Sequence, residues 1–582
     1  MYESRYGMEI IDSIYKNRKD FILIGLTGRI GSGCTTAADF LSKSIKDHNL
    51  REIIIDDSSN DSHRKRYIID KFYRKNWAPF TVITMSDIIT MFIVQHSYSE
   101  LRNIIEDFNS YIENRDNRRF YSFNKIELTI KEEKYNELHN KYKNIIDDLK
   151  KEKIYSRDYK SLYDLLMSFF KDSKIIKEEL SRNTYKNYTD LYQLCGDNLR
   201  LLGSIKIQDS PNVNNIYTIA EKVNLIIKLI KRYNEENNRE TYIVIDAIRN
   251  VLEAYFFRER YSAFYLIAIN ADNDDIKSRL RERFPSLSEE DIEKQLKKED
   301  IELKLETIED FASQNIQSCI VNADIYIYNK GKSNDDKKEL FGQLIKFVSL
   351  IKHPGLITPS HDEKMMQIAF TAKLNSACLS RQVGACVTNK YGSVKAIGWN
   401  SVAEGQTPCL LRGVKDLLQE LNSKSYSAYE KSKEFKNKLK DIYKNIDQLN
   451  ECGLNDSFCF KSIYTKDNPD ELKNQVHTRA LHAEENAFLQ LSKYGSGEAI
   501  IEGTLYSTAS PCELCSKKAY QLGIKRIVYI DPYPGIAKEQ ILQSGLTPPV
   551  IELFSGAIGV AYYKLYSQII PYKDELNTLQ NG

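Results

Sequence analysis

His482-Ala483-Glu484 and, further along, Pro511-Cys512-Glu513-Leu514-Cys515 are the residues of this chain best equipped for chemistry. Read as H-x-E…P-C-x-x-C, they offer one imidazole and two thiolates, a ligand set for Zn²⁺ that leaves a fourth position open for water. A structural zinc site is normally closed by four protein ligands, and it would leave Glu484 without a task. With the position open, the cation lowers the pKa of a water from ~15.7 towards ~7. Glu484 then reads as a proton shuttle rather than a ligand, and the chemistry expected is metal-assisted hydrolysis.

Two helices must position these groups. Ala480 to Gln490 has helical spacing, with Ala483, Ala487 and Leu491 on one buried face, and a second helix starts at Cys512 after a proline. The partial positive charge at a helix N-terminus favours thiolate at Cys512 and Cys515. No secretory segment precedes them, so C-x-x-C suggests metal before disulfide.

The run His482-Ala483-Glu484-Glu485-Asn486-Ala487 resembles the H-A-E-x-N-A of deoxycytidylate deaminases. Ser380-Arg381-Gln382-Val383-Gly384-Ala385 is similar to that family's S-R-Q-V-G-A strand, and Gly398-Trp399-Asn400 to its G-Y-N turn. The resemblance implies that Asn400 contacts the nucleotide's sugar and that Arg381 and Asn486 belong to the substrate pocket. It also implies a three-layer α/β/α deaminase arrangement. The supporting elements expected are a helix from His361 to Ala377, strands Val383 to Thr388 and Val394 to Trp399, and then an insertion. The His482 helix, strand Thr504 to Thr508, the Cys512 helix and strand Arg526 to Ile530 follow. The loop Asp531-Pro532-Tyr533-Pro534 would wall the pocket with an aromatic ring.

A second site is expected near the N-terminus. The apolar run Phe21 to Leu26 leads into Thr27-Gly28-Arg29-Ile30-Gly31-Ser32-Gly33-Cys34-Thr35-Thr36 and a helical Ala37 to Leu41, the strand–glycine turn–helix context of a P-loop. Backbone N–H groups converge on phosphate in such turns. Gly28, Gly33 and Thr35 match G-x-x-x-x-G-K-[ST], with Arg29, Gly31, Ser32 and Thr36 completing the cradle. Cys34 stands where the lysine belongs, which favours binding over phosphoryl transfer. Tyr242 to Asp246 is an apolar strand ending in acid, so Asp246 could hold Mg²⁺. The ligand expected is a purine or deoxynucleoside triphosphate with Mg²⁺. Further strands are read at Glu52 to Asp56, Thr81 to Met85, Phe264 to Asn270 and Asp324 to Asn329. Ala247 to Glu253 resembles the D-G-x-R-N-x-x-E segment of nucleotide and dephospho-coenzyme A kinases. Arg279, Arg281 and Arg283 lie where such kinases carry a lid, or on a solvated helix face.

The fold class expected is α/β, a P-loop kinase-like parallel sheet domain over 1–350 and a zinc deaminase-like domain over 351–582. A helical insertion interrupts the first domain at about 97–198, where Gln193, Gly196, Asp197 and Arg200 resemble a Q-x-x-G-D-x-x-R segment. Another interrupts the second at about 409–477. It carries lysines from 424 to 444, a solvated face or an RNA contact. It also holds Cys409, Cys452, Cys459 and His477, candidates for a second zinc site. The chain of 582 residues has a net charge of +2 and no run of ~18 apolar residues, so neither a dedicated nucleic-acid binder nor a membrane span is expected. A cytoplasmic location is.

Three functions fit. The first is deamination of dCMP or dCTP, regulated through the P-loop domain. The second is a polynucleotide cytidine deaminase with an NTP-binding domain, and the third a kinase with an auxiliary deaminase. A P-loop domain followed by a deoxycytidylate deaminase resembles the bacterial antiviral deaminases of the AvcD type. That resemblance implies antiphage depletion of deoxycytidine nucleotides, restraint by a small non-coding RNA, and a homo-oligomer, dimer or hexamer.

Overall fold

Apolar runs bounded by turns become the strands of two sheets. The computed structural model describes residues 2–55, 57, 59–114, 125–181, 185–207, 210–285, 288–299, 307–331, 333–466, 477–495, 497–532 and 535–581. They divide into two units, Met1–Thr358 with Val560–Gly582, and Pro359–Gly559.

In the first unit, β1 (Phe21–Thr27), β2 (Thr81–Thr84), β3 (Thr241–Asp246), β4 (Phe264–Asn270) and β5 (Ile325–Tyr328) pair in the order β5-β4-β1-β3-β2. Every pairing among them is parallel. Strands buried on both faces need unbroken apolar sequence, and Ile22, Leu23, Ile24, Ile243, Val244 and Ile245 are fully buried. Residues 52–55 form no strand, contrary to the sequence reading. The Ile53 N–H is taken by the Asp70 carboxylate at 3.3 Å, not by a neighbouring strand. Thr81 to Met85 stops one residue early, because the Thr84 hydroxyl caps the next helix by accepting from Asp87 N–H.

The first insertion is helical where described, with Tyr98–Asn114, Glu132–Tyr142, Tyr159–Ser181 and Tyr185–Leu202 its longer elements. Arg200, buried at the end of the last, pairs with Glu253 at 2.8 Å and so clasps that helix to the segment after β3. The final helix, Tyr572–Asn581, also belongs to this unit, whereas 351–582 had been expected to stay together. Glu575 fixes it there by accepting from Tyr15 at 3.2 Å and pairing with His353 at 2.8 Å. Gly355 N–H also bonds the Leu565 carbonyl at 2.9 Å. No helix among the described residues is long and apolar enough to cross a membrane.

The second unit is a mixed sheet: β6 (Gly384–Thr388), β7 (Val394–Trp399), β8 (Thr504–Ala509), β9 (Arg526–Asp531) and β10 (Val550–Leu553), ordered β10-β9-β8-β6-β7. β6 runs antiparallel to β7 and β8, while β8, β9 and β10 are parallel. Parallel neighbours need a crossover, and the helix Glu513–Gln521 supplies it between β8 and β9. The helix Ala483–Lys493 precedes β8, and Ala483, Ala487 and Leu491 enter one apolar core with Ala385, Val387, Leu505 and Ile527. The first helix, His361–Lys373, is shorter than expected and opens with a Ser360/Glu363 capping box. The insertion builds a small core of its own from Val414, Leu417, Tyr426, Phe435, Leu439, Phe458 and Ile463. In its lysine-rich helix Lys433–Ile442, Phe435 and Leu439 face that core.

Candidate active site

His482 and Cys512 each occupy the N-cap of a helix, with extended backbone, and each helix begins one residue later. The first helix therefore starts at Ala483, not Ala480. Leu481 instead bridges Ser401 as an antiparallel strand residue, which sets the entry angle. Two helix N-termini with their partial positive charge thus meet where the sulfurs lie. Glu485 and Lys518 pair from one helix to the other.

His482 Nδ1 stands 3.3 Å from Cys512 Sγ and 3.5 Å from Cys515 Sγ. Zn–N and Zn–S bonds at a tetrahedral angle would separate those atoms by about 3.6 Å, so the donor set fits zinc. Among the described residues these three are the one group of His, Cys, Asp or Glu whose ligand atoms converge in this way. Hydrogen bonds from Cys515 first, and from His482, hold the Cys512 thiol well below its ordinary value, while Cys515 is raised. The same contact with Cys512 raises the His482 imidazole.

Glu484 is buried beside them and accepts from the Ser507 hydroxyl at 2.9 Å. Burial pushes its carboxyl above the usual carboxylate range. Ser507, itself fully buried on β8, is a partner that the sequence did not single out. Gly398 on β7, which the sequence marks only as part of a turn, has a packing role as well: a Cβ there would lie 2.1 Å from the Ala483 carbonyl, so only glycine lets the strand pass this close to the His482 helix.

Asn400 accepts Val383 N–H through Oδ1 at 2.6 Å and lines a cleft whose wall also includes Ser380 and Ala480. His482, Glu484 and the two thiols do not line it. Ala480, two residues before His482, lies within ~7.6 Å of it by chain geometry. Asn486 donates to the Trp399 carbonyl at 3.1 Å, holding the turn that presents Asn400. Arg381 is ion-paired with buried Asp531 at the end of β9. Tyr533 and Pro534 lie outside the described residues.

The candidate second zinc site does not form among the described residues. Cys452 is exposed, Cys409 Sγ sits 3.5 Å from the Arg412 guanidinium, and the His477 ring packs on Tyr464 at 4.5 Å. Among the described residues, their ligand atoms come together in no group of three His, Cys, Asp or Glu. The charge at the heart of the insertion belongs to fully buried Arg412 and Glu430, paired at 2.6 Å. Glu430 also receives Arg479, three residues before His482, at 3.2 Å.

In the first unit, the glycine turn leads from β1 into the helix Cys34–Leu41. Gly33 has φ of +115°, and a Cβ there would meet Asn329 Nδ2 at 2.3 Å. Thr35 Oγ1 donates to Asp246 Oδ2 at 3.1 Å, while the buried Oδ1 of Asp246 has no hydrogen-bond partner among the described residues. Burial raises the Asp246 carboxyl and pushes the Cys34 thiol up to about 12, so Cys34 supplies no charge near neutrality. Gly28 packs beside Ser32, and the carbonyls of Gly31 and Ser32 are bracketed by Arg279 at 3.1 and 3.4 Å. Thr36 is exposed on the first turn. The Arg29 guanidinium bonds Asn273 at 2.7 Å and the Ala271 carbonyl at 3.1 Å. Ile30 N–H donates to the Glu299 carboxylate at 2.8 Å, and Arg249 pairs with that carboxylate at 3.1 Å.

Residues 359–531 match the cytidine and deoxycytidylate deaminase zinc-binding region. The chain is 31% identical over 170 residues to the deoxycytidylate deaminase of Enterobacteria phage T2, covering 29% of this chain and 79% of that one. It is 29% identical over 181 residues to the deoxycytidylate deaminase of Schizosaccharomyces pombe, covering 31% and 40%. A crystal structure of dCMP deaminase from the cyanophage S-TIM5, in complex with dCMP and dUMP, matches 34% of this chain and 99% of its own at 24% identity, with a TM-score of 0.21. With a ligand triad and a buried carboxylate assembled inside the matched residues, the chain belongs to the cytidine and deoxycytidylate deaminase family.

Proposed function

We propose that this protein hydrolyses the exocyclic amine of deoxycytidine nucleotides, converting dCMP, dCTP or both to the deoxyuridine forms with release of ammonia. The convergence of His482, Cys512 and Cys515 beside buried Glu484 carries this reading. Zinc, when bound, supplies a Lewis acid that makes a water nucleophilic near neutral pH. The residues manage the protons. Glu484 accepts one from the attacking water as its oxygen bonds to C4 of the ring, and delivers it to N3. It then takes the hydroxyl proton and gives it to the amine as the C4–N4 bond breaks, leaving a carbonyl and ammonia. Ser507 keeps the carboxylate aimed through each transfer. Asn400 and Arg381 are read as substrate contacts, and Asn486 as the support of the Asn400 turn.

The first unit is read as a nucleotide sensor. Its parallel sheet, glycine turn, Thr35–Asp246 contact and orphaned Asp246 Oδ1 suit a Mg²⁺-bound triphosphate, and neutral Cys34 speaks against efficient phosphoryl transfer. The antiphage role, restraint by a small RNA, a cytoplasmic setting and assembly as a dimer or hexamer rest on the resemblance of the two-part architecture.

Absorbance assays with dCMP, dCTP, CMP and single-stranded DNA test the reading. Turnover of a free deoxynucleotide is expected, and turnover of DNA alone would replace it with polynucleotide deamination. Glu484→Gln should retain zinc and fold yet lose ammonia release; wild-type turnover in that variant would remove Glu484 from the mechanism.

A further inference from the structure

One backbone donor of the glycine turn is already taken by an anion. Ile30 N–H donates to Glu299 Oε2 at 2.8 Å, Arg249 donates to Oε1 at 3.1 Å, and the Gln295 amide donates to that same Oε1 at 3.2 Å. Glu299 is buried at the end of the helix Glu289–Glu299, whose Ile292 and Leu296 share an apolar cluster with Ile30, Ala271, Ile276 and Leu280. The helix is thus fastened to the turn twice, by a carboxylate and by the Ile30 side chain. Lys298, next to Glu299, donates to Gln193 at 2.7 Å and ties the same helix to the helical insertion.

In a P-loop the side chain at the Cys34 position is the one that reaches the β- and γ-phosphates, and Mg²⁺ at the acidic strand end bridges their oxygens. Burial, and then the Asp246 charge, raise the Cys34 thiol, and the opposite charges of Arg249 and Glu299 both reach it. Asp246, itself raised by burial, also feels Arg249, and its buried Oδ1 has no hydrogen-bond partner among the described residues. Glu299 therefore stands at the terminal-phosphate end of the turn, on a loop N–H and a guanidinium, both suited to phosphate oxygen. We infer that Glu299 occupies the terminal-phosphate position of the nucleotide site, so that a Mg²⁺-bound nucleoside triphosphate displaces its carboxylate, takes over Ile30 N–H and Arg249, and releases the helix Glu289–Glu299 from the turn. A diphosphate leaves that position to Glu299 and the helix docked. The site thereby distinguishes triphosphate from diphosphate through a residue outside the glycine motif, and the Lys298–Gln193 contact carries the difference to the insertion. The inference rests on the proposed nucleotide sensor and touches no step of the deamination.

Calorimetry and hydrogen exchange on the full zinc-loaded chain test it, with the Mg²⁺ salts of ATP, GTP and dTTP set against their diphosphates. Glu299→Gln keeps the side-chain volume and removes the charge that the phosphate must displace. A hydrogen bond to a charged group sets the scale, so this variant should bind the preferred triphosphate at least ~10-fold more tightly, with the diphosphate within about threefold of wild type. In the wild type, saturating triphosphate should speed exchange across residues 289–299 and the diphosphate should not, a readout that needs no variant to fold. Triphosphate affinity unchanged or weakened in a folded Glu299→Gln overturns the displacement and leaves the sensor standing. So does an exchange rate across 289–299 that bound triphosphate leaves unchanged or slows. A wild type that binds none of these nucleotides, with Glu299→Gln no better, brings down both.

Discussion

Replacing Gly398 with alanine would put a methyl carbon 2.1 Å from the Ala483 carbonyl oxygen and 2.7 Å from Ala487 N. Carbon and oxygen ordinarily approach no closer than about 3.3 Å. The strand and helix must therefore part by about 1.2 Å, and both obstructing atoms are backbone, so no rotamer change relieves the clash. The helix displaced is the one that carries His482 at its cap and Glu484 in its first turn. His482 Nδ1 and Cys515 Sγ are 3.5 Å apart; a 1 Å retreat along that line passes about 4.4 Å, the sum of the Zn–N and Zn–S bonds. Gly398→Ala should therefore lose zinc or hold it in distorted geometry, with kcat/KM down at least ~100-fold, the usual cost of misplacing reacting groups by 1 Å. Overpacking should also destabilise the fold by about 1–3 kcal/mol. Zinc per chain, steady-state kinetics on dCMP and thermal unfolding measure the three effects. Gly342→Ala, whose Cβ meets nothing within 4 Å, serves as the control. Full zinc and kcat/KM within about threefold of wild type in Gly398→Ala would refute the reasoning, since a 1 Å shift cannot leave both intact.

Ser507→Ala removes the donor that aims Glu484. A hydrogen bond to a charged group is worth about 1.5–3 kcal/mol, so kcat should fall about 10- to 100-fold while zinc content holds; equal activity would mean that another contact orients the carboxylate. In the first unit, calorimetry should detect binding of a Mg²⁺-loaded nucleoside triphosphate that Asp246→Asn weakens, with negligible release of phosphate. Brisk hydrolysis would show that Cys34 does not disable transfer, and no binding to any purine or deoxynucleoside triphosphate would remove the sensor reading.

The ligand set was legible because His482 and Cys512-x-x-Cys515 are local patterns, each closed within one turn of helix. The strands were legible because fully buried strands require unbroken apolar runs such as Phe264–Asn270. What escaped was long-range. Ser507 is one hydroxyl in the strand Thr504–Ala509, and its role depends on Glu484 arriving from another element. Gly398 reads as a turn residue until the helix it admits is in place. The four residues grouped as a second metal site had suitable chemistry without convergence, since sequence spacing across an insertion says little about distance. The edge strand Val550–Leu553 was missed because Thr547-Pro548-Pro549 reads as loop. Residues 52–55 failed for the opposite reason: an apolar triplet with no strand beside it among the described residues does not pair.

Glu575 has a consequence for anyone who wants the two units apart. Because Val560–Gly582 returns to its host, the deaminase body is a guest spliced into a longer chain, with its sequence interrupting that host after Thr358. Truncation at 559 would strip Tyr15 and His353 of their shared carboxylate and leave a damaged amino-terminal fragment. Excision of 359–559 is the better cut, since the Gly355–Leu565 hydrogen bond already holds the two stumps side by side and a few flexible residues would bridge them.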